Sequence, residues 1–516
     1  MTTIVAQTTH GKVRGASVDG IYSFKGIPYG GGTGGERRLM PPTAPEPWAG
    51  IRDARAYGLD CPQPRGRVLN VTPRVVSVFG SGKPLPQSEA CLVLNVWSPE
   101  IMDGGSRPVM VWLHGGGFFV GSGSGALYDG TALARRGDVV VVTVNHRLGP
   151  LGYLHLGDLV GPEYAASGNV GMLDLVAALE WVRDNIEAFG GDAGNVTIFG
   201  ESGGGAKVSA LMAMPAAEGL FHRAIIQSGP GVRMHTREKA TRHARSFLRR
   251  LGISPRDIQA LHDMPVEQLL AAQTAAARIN RFFMLEPVVD GVILPHAPFE
   301  PEAPKVSAHV PLLIGTNKDE ATLFMGNVPL LGPFSQPSAL APGLLRLVTR
   351  ALAWKATPRL MRAYESAHPG ASPNVLFASM MSDYTMRLGS IRLAERKVSG
   401  GGAPVYMYLF AWESPALDGK LRALHGLDLP FVFDNVGAAP GLTGDLPEAH
   451  ALAAKVSAAW AAFARQGDPT IDTLAPWPSY TLEERATMIL DNECRVEHDP
   501  GREVRLAWEG VRVYTM

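Results

Sequence analysis

One Gly-x-Ser-x-Gly occurs in the 516 residues, Gly200-Glu201-Ser202-Gly203-Gly204. In a chain with 59 glycines such a match is weak until its flanks are considered. The run Val196-Thr197-Ile198-Phe199 precedes it and the helix-compatible Ala206–Met214 follows. That is a strand, a sharp turn and a helix, the junction that lifts a serine hydroxyl clear of a sheet. Glycines are needed there because a Cβ would strike the neighbouring strand or helix. A serine hydroxyl is a poor nucleophile at neutral pH and requires a general base beside it. It also requires donors aimed at the oxyanion of the tetrahedral intermediate. The second requirement has its own signature in His114-Gly115-Gly116-Gly117-Phe118, directly after Val109–Leu113. Consecutive glycines let backbone N–H groups approach a substrate oxygen without interference from Cβ. No G-x-x-x-x-G-K-[ST] is present, so a phosphate cradle is not indicated. The two stretches together suit acyl transfer through a covalent serine ester.

Such groups need a scaffold. The runs Val109–Leu113, Val139–Val144, Val196–Phe199, Ala224–Ile226, Leu312–Ile314 and Val405–Phe410 read as buried parallel strands. Between them Met172–Phe189 reads as a helix, with Leu175, Leu179, Val182 and Ile186 on one face and Gly190-Gly191 as its stop. Alternating strands and helices predict an α/β fold with a large, mostly parallel central sheet covered by helices. Chemistry in such folds sits in loops beyond the carboxyl ends of the strands. From Gly231 to about Phe282, and from Leu323 to Gly400, the strand signal gives way to helical sequence. These stretches (approximately 231–282 and 323–400) read as helical insertions over the active site within a single domain spanning 1–516. The first carries Arg233, Arg237, Lys239, Arg242, Arg245, Arg249 and Arg250, read as a solvated helix face.

Composition narrows the function classes. Hydrophobic residues make up 46% and charged residues 19%, enough for a sizeable core. Forty-eight Lys and Arg balance 48 Asp and Glu, which argues against nucleic-acid or anionic-membrane binding, because both need surplus positive charge. Three cysteines exclude a disulfide scaffold. The first twenty residues lack the apolar core of a secretory signal. The charge-free stretch Ala321–Leu345 is broken by Pro329, Pro333, Pro337 and Pro342, so it does not read as a membrane span. A soluble, cytoplasmic protein is expected.

Several further stretches carry a family likeness: Phe24–Tyr29, Glu89–Trp97, the His114–Phe118 loop, Asn145–Gly149, Asn185–Gly204, Gly315–Glu320 and His425–Phe433. In these the chain resembles the type-B carboxylesterase/lipase family of α/β-hydrolases, the cholinesterase-like group, and within it bacterial esterases of the para-nitrobenzyl-esterase kind. The residues alone leave the base open among 14 histidines and the acid among 48 carboxylates. The resemblance implies an α/β-hydrolase fold and a Ser202–Glu320–His425 triad. Asp319 is the alternative acid, although it suits a helix N-cap better than Glu does. The resemblance also implies oxyanion donors at the backbone N–H groups of Gly116, Gly117 and Gly203. Gly203 is a departure, since the family usually carries Ala after the nucleophile. His114 is read as structural. Arg38 with Glu89, and Arg147 with Asp174, match buried ion pairs of the family. Cys61 and Cys91 sit where family members close a disulfide, with free thiols as the even alternative, and Cys494 has no partner.

No Trp or Tyr lies between Cys61 and Cys91, which argues against choline esters. Phe283 aligns with the family's acyl loop, and Phe118 and Phe324 flank the functional loops, so an apolar substrate site is expected. The substrates implied are uncharged carboxylic esters of short to medium acyl length, aryl esters included. Carbamate, amide or lipid hydrolysis on the same triad is the alternative reading. A non-catalytic binding protein like the family's adhesion members is a remote one, since Ser202, Glu320 and His425 are all retained. No metal or organic cofactor is implied, the partner is a small-molecule ester, and a monomer or weak homodimer is expected. The rate is expected to rise with pH through an apparent pKa of about 6–7 as His425 loses its proton.

Overall fold

The computed structural model describes residues 2–64, 85–279, 285–325 and 342–512. Its strands, in chain order, are β1 (Thr2–Thr8), β2 (Gly11–Val18), β3 (Ile21–Pro28), β4 (Ile51–Asp53), β5 (Val93–Ser98), β6 (Arg107–Leu113), β7 (Val140–Val144) and β8 (Gly191–Glu201). There follow β9 (Arg223–Gln227), β10 (His235–Thr236), β11 (Val288–Val289), β12 (Leu312–Asn317), β13 (Val405–Phe410), β14 (Ala486–Leu490) and β15 (Arg495–His498). Among the described residues thirteen of these form one sheet, ordered β1-β2-β3-β5-β7-β6-β8-β9-β12-β13-β14-β15 with β4 beside β2. The block from β7 through β6, β8, β9, β12 and β13 to β14 is parallel throughout. Both margins are antiparallel except for the parallel pairing of β4 with β2. Strands β10 and β11 form a separate two-residue pairing.

Every residue of β7, β12 and β13 is buried, which is why these strands read as continuous apolar runs and not as alternations. Alternation is still present in which face each side chain serves. Val109, Val111, Leu113, Val140, Val142, Ile198, Ile226 and Ile314 join one core cluster. Their neighbours Met110, Trp112, Val141, Phe199, Ile225, Leu313, Tyr408 and Phe410 join the other. The helix Val170–Asn185 covers the first face with Leu175, Leu179 and Val182, and the helix Pro447–Gln466 covers the second with Leu452, Val456, Trp460 and Phe463. Each large aliphatic side chain so buried contributes about 1.5–3 kcal/mol against solvent exposure.

The expected helix 172–189 is divided: its α-helical part ends at Asn185 and Ile186–Phe189 continue as a 3₁₀ turn. Strand β8 starts at Gly191, five residues before the apolar run, because Gly191 already pairs with Arg107 of β6 and the register shifts before Val196 pairs with Val109. Between 231 and 282 lie the helices Arg237–Leu251, Gln259–Asp263 and Val266–Ile279. The first buries Ala240, Ala244, Phe247 and Leu248 and exposes Arg237, Arg242, Arg245, Arg249 and Arg250. Between 323 and 400 lie Pro342–Ala353, Thr357–Ala367, Pro373–Ser382 and Leu388–Ser399, which share a third core cluster with Val504 and Trp508. Among the described residues no helix is long and apolar enough to cross a membrane. Part of the charge-free stretch, 326–341, lies outside the described residues.

Candidate active site

Strand β8 hands its last residue, Glu201, directly to Ser202, whose backbone takes φ +56°, ψ −124° before the helix Gly203–Leu211 begins. That conformation costs a residue with a side chain about 1–3 kcal/mol and persists only where its surroundings enforce it. Here the Ser202 N–H donates to the Gln227 carbonyl at the end of β9 (2.8 Å), and the Ser202 carbonyl accepts from the Ala206 N–H (3.1 Å). The turn packs against β6 so tightly that a Cβ on Gly204 would lie 1.9 Å from the Leu113 carbonyl oxygen. Ser202 keeps 9% of its surface open.

Strand β6 ends at Leu113 and opens into the loop His114–Phe118. Every carbonyl of that loop is tied down. Those of His114 and Gly117 each accept from Lys207 Nζ at 2.9 Å. The Gly115 carbonyl pairs with His114 Nδ1 (2.9 Å), Gly116 accepts from the Val120 N–H (3.2 Å), and Phe118 accepts from the Gly149 N–H (2.7 Å). In a trans peptide plane the N–H points opposite to the C=O. Anchoring the carbonyls of Gly115 and Gly116 therefore turns the N–H groups of Gly116 and Gly117 to the other side. Those two N–H groups, and that of Gly203, have no acceptor among the described residues. Gly203 closes onto the same loop: a Cβ there would sit 2.2 Å from the Gly117 carbonyl oxygen. In this arrangement the alanine methyl usual in the family has no room at position 203. His114 is buried, and burial followed by the nearby Lys207 pushes its imidazole down to about 3, so the ring is neutral. Its structural reading stands on that hydrogen bond to its own loop.

Glu320 and His425 meet across the next two strands. At the end of β12 the Asn317 N–H donates to Glu320 Oε1 (2.7 Å), and Glu320 Oε2 lies 2.5 Å from His425 Nδ1. Glu320 is fully buried and His425 is 5% exposed. Asp319 points elsewhere, its Oδ1 accepting from Arg422 Nε at 3.0 Å. The His425 loop, which follows β13, is fixed twice: Asn317 Nδ2 donates to the Leu424 carbonyl (2.7 Å), and Asp428 accepts from Gln227 Nε2 (2.8 Å) and the Tyr408 hydroxyl (3.1 Å). The Phe324 ring lies 5.0 Å from the imidazole. Phe118 is only 4% exposed, edge-on to Tyr153 at 5.2 Å, so it fills the core behind the loop. Phe283 lies outside the described residues.

Two neighbours of the site went unread in the sequence. The first is Glu201, whose Oε1 lies 3.1 Å from His425 Nε2 without hydrogen-bond alignment. Nothing hydrogen-bonds Ser202 Oγ to Nε2 in this resting arrangement. Such contacts commonly tighten only when substrate is bound. Burial, together with Asp428 and Glu320, pushes the Glu201 carboxyl up to about 8 against the opposing pull of His425. Burial would lower His425, but the carboxylates of Glu201 and Glu320 outweigh it and raise the imidazole to about 9. That lies above the 6–7 expected of the base taken alone. The second is Lys207, fully buried in the helix Gly203–Leu211. A carboxylate adjoining the nucleophile and a lone lysine inside the small-residue run Gly203–Leu211 were the available signals.

The ion pairs expected from the resemblance are in contact. Arg147 meets both oxygens of Asp174 (2.8 and 2.6 Å), and Arg38 meets both oxygens of Glu89 (2.7 Å each). Cys61 and Cys91 are buried free thiols. Among the described residues no cluster of three or more His, Cys, Asp or Glu side chains is arranged to hold a metal ion. The assembly brings together a strained serine, an imidazole backed by a carboxylate, and three unused backbone donors. Those are the parts that acyl transfer requires.

A sequence profile described as the carboxylesterase family matches residues 2–507. The para-nitrobenzyl esterase of Bacillus subtilis (strain 168) is 40% identical over 520 residues, covering 98% of both chains. The phenmedipham hydrolase of Pseudarthrobacter oxydans is 35% identical over 501 residues, covering 95% of each. Among solved structures, the Geobacillus stearothermophilus carboxylesterase EST55 superposes with a TM-score of 0.84 at 41% identity, covering 98% of this chain and all of the other.

Proposed function

The chain belongs to the carboxylesterase family, and from that premise we propose that Ser202, His425 and Glu320 perform its reaction. It is a serine carboxylesterase of the α/β-hydrolase fold, acting on carboxylic esters, aryl esters among them. In the proposed sequence His425 Nε2 takes the Ser202 proton as Oγ attacks the ester carbonyl. The carbonyl oxygen, now negative, receives the N–H groups of Gly116, Gly117 and Gly203. Collapse of the intermediate expels the alcohol, protonated by His425, and leaves an acyl-Ser202 ester. Water, deprotonated by the same imidazole, then attacks that ester, releases the acid and returns the proton. Glu320 holds Nδ1–H and stabilises the imidazolium formed in each half.

The observation that carries this reading is the 2.5 Å contact between Glu320 Oε2 and His425 Nδ1. It lies at the carboxyl ends of parallel strands, the same edge where β8 delivers Ser202 at φ +56°. The apolar ring of Phe324 beside His425 supports uncharged ester substrates, for which we propose a short to medium acyl length. We read residues 1–516 as one domain, with the helical stretches near 231–282 and 323–400 inserted over this edge. The test is Ser202→Ala together with mass-spectrometric mapping of a fluorophosphonate label on the wild-type chain. Turnover should fall at least 10⁴-fold with the thermal midpoint unchanged, and the label should sit on Ser202. Undiminished turnover, or a label on another residue, would remove the assignment.

A further inference from the structure

We propose that Lys207 is a positioning residue of the oxyanion site: its buried amine clamps the His114 and Gly117 carbonyls and thereby sets the direction of the two N–H groups between them. This rests on the reading of the Gly116 and Gly117 donors given above. Lys207 is 0% exposed, and among the described residues no carboxylate comes within ion-pair distance of its Nζ. A buried, unpaired lysine is costly to the fold and calls for compensation by hydrogen bonds. Both of its hydrogen bonds go to backbone carbonyls of one five-residue loop, at 2.9 Å each. The clamped peptides, 114–115 and 117–118, bracket the peptides that carry the Gly116 and Gly117 N–H groups. Fixing the outer two planes limits how far the inner two can rotate. Burial pushes the amine down to about 7, with Glu201 opposing. A neutral amine still offers two N–H donors, one for each carbonyl, so the clamp holds in either protonation state.

A control for mere structural bracing lies elsewhere in the fold. Lys397, 1% exposed, donates to the Ser307 and Ala308 carbonyls at 2.7 and 2.8 Å. Its acceptors precede β12, at the opposite edge of the sheet from the site. The two lysines make the same kind of bridge, but only one bridges the loop that faces the reacting carbonyl.

The experiment compares Lys207→Met and Lys397→Met with the wild type, measuring kcat and KM on a short-chain aryl ester and affinity for a trifluoromethyl ketone, whose adduct mimics the tetrahedral oxyanion. Lys207→Met should lower kcat about 10–100-fold with KM within about threefold, and weaken the ketone by a similar factor. Lys397→Met should keep kcat within about twofold of the wild type. A wild-type kcat in Lys207→Met, a loss confined to KM, or an equal loss of kcat in Lys397→Met would overturn the proposal. If Lys207→Met does not fold, Lys207→Gln, which keeps N–H donors on a shorter arm, carries the same test. Its kcat should fall selectively by a smaller factor, and an unchanged kcat overturns the clamp. A fluorophosphonate label away from Ser202 in the wild type would instead sink the underlying reading, whatever Lys207 does.

Discussion

Arg147 and Asp174 are as deeply buried as His425 and Glu320, yet the two pairs are finished differently. Around Arg147 the charges balance and the donors are used: Nε and Nη2 meet the two Asp174 oxygens, Nη1 meets the Met40 carbonyl, and the Arg147 N–H adds a third contact to the carboxylate. Around His425 the carboxyl groups outnumber the base. One imidazole faces Glu320 on one nitrogen and Glu201 on the other, with Asp428 close behind. Glu201 Oε1 has no hydrogen bond, and three N–H groups at the elbow and the glycine loop are unused. A satisfied pair braces a fold and has no capacity left to act on a substrate. The site retains unmet hydrogen-bonding capacity, and a substrate oxygen and a migrating proton can meet it.

The contrast can be broken at either end. Its largest expected effect is Glu320→Gln. The amide cannot stabilise an imidazolium, and kcat should fall about 10³–10⁴-fold with little change in thermal midpoint. A stability loss with kcat retained would put Glu320 in the bracing class with Asp174. Next is Asp174→Asn, which leaves the Arg147 charge uncompensated and should cost about 3–5 kcal/mol in denaturant unfolding. Activity per folded molecule should survive, and a selective loss of kcat in folded protein would erase the distinction. The smallest effect concerns pH. The base works only when neutral, and raising its pKa moves the loss of activity upward as pH falls. The acid limb of kcat/KM should therefore lie above pH 7, toward the value of about 9 to which the surrounding carboxylates raise His425. Glu201→Gln removes one of those charges and should shift the limb down by about 1 pH unit. An unmoved limb would mean that Glu201 leaves the base untouched.

Much of this contrast was written in local chemistry that a sequence exposes. The central strands were legible because burial on both faces forces β-branched and aromatic runs such as Val-Val-Val-Thr-Val in β7. The elbow was legible because its glycines stand between a strand and a helix. The margins of the sheet were not. Strand β2 buries only part of its residues, and β15 none fully, so neither produces an apolar run. His425 and Glu320 were reachable only through resemblance, since 105 residues separate partners that touch in space. Asp319 and Glu320 differ by one position, and it took side-chain direction to separate them. The carboxylate cage of His425 and the lysine clamp depend on contacts across β6, β8, β12 and β13, which no local pattern encodes. The expected titration at 6–7 took the base without its neighbours, whose carboxylates raise His425.

The crowding of the nucleophile turn also tells a protein engineer where not to look. Gly203 and Gly204 have no room for even a methyl group, with carbonyl oxygens of the facing loop and strand at 2.2 and 1.9 Å. Random libraries aimed at the Gly204 codon should return mostly inactive clones. Diversity intended to widen or shift substrate choice belongs instead on the wall beside His425, at the half-buried Phe324.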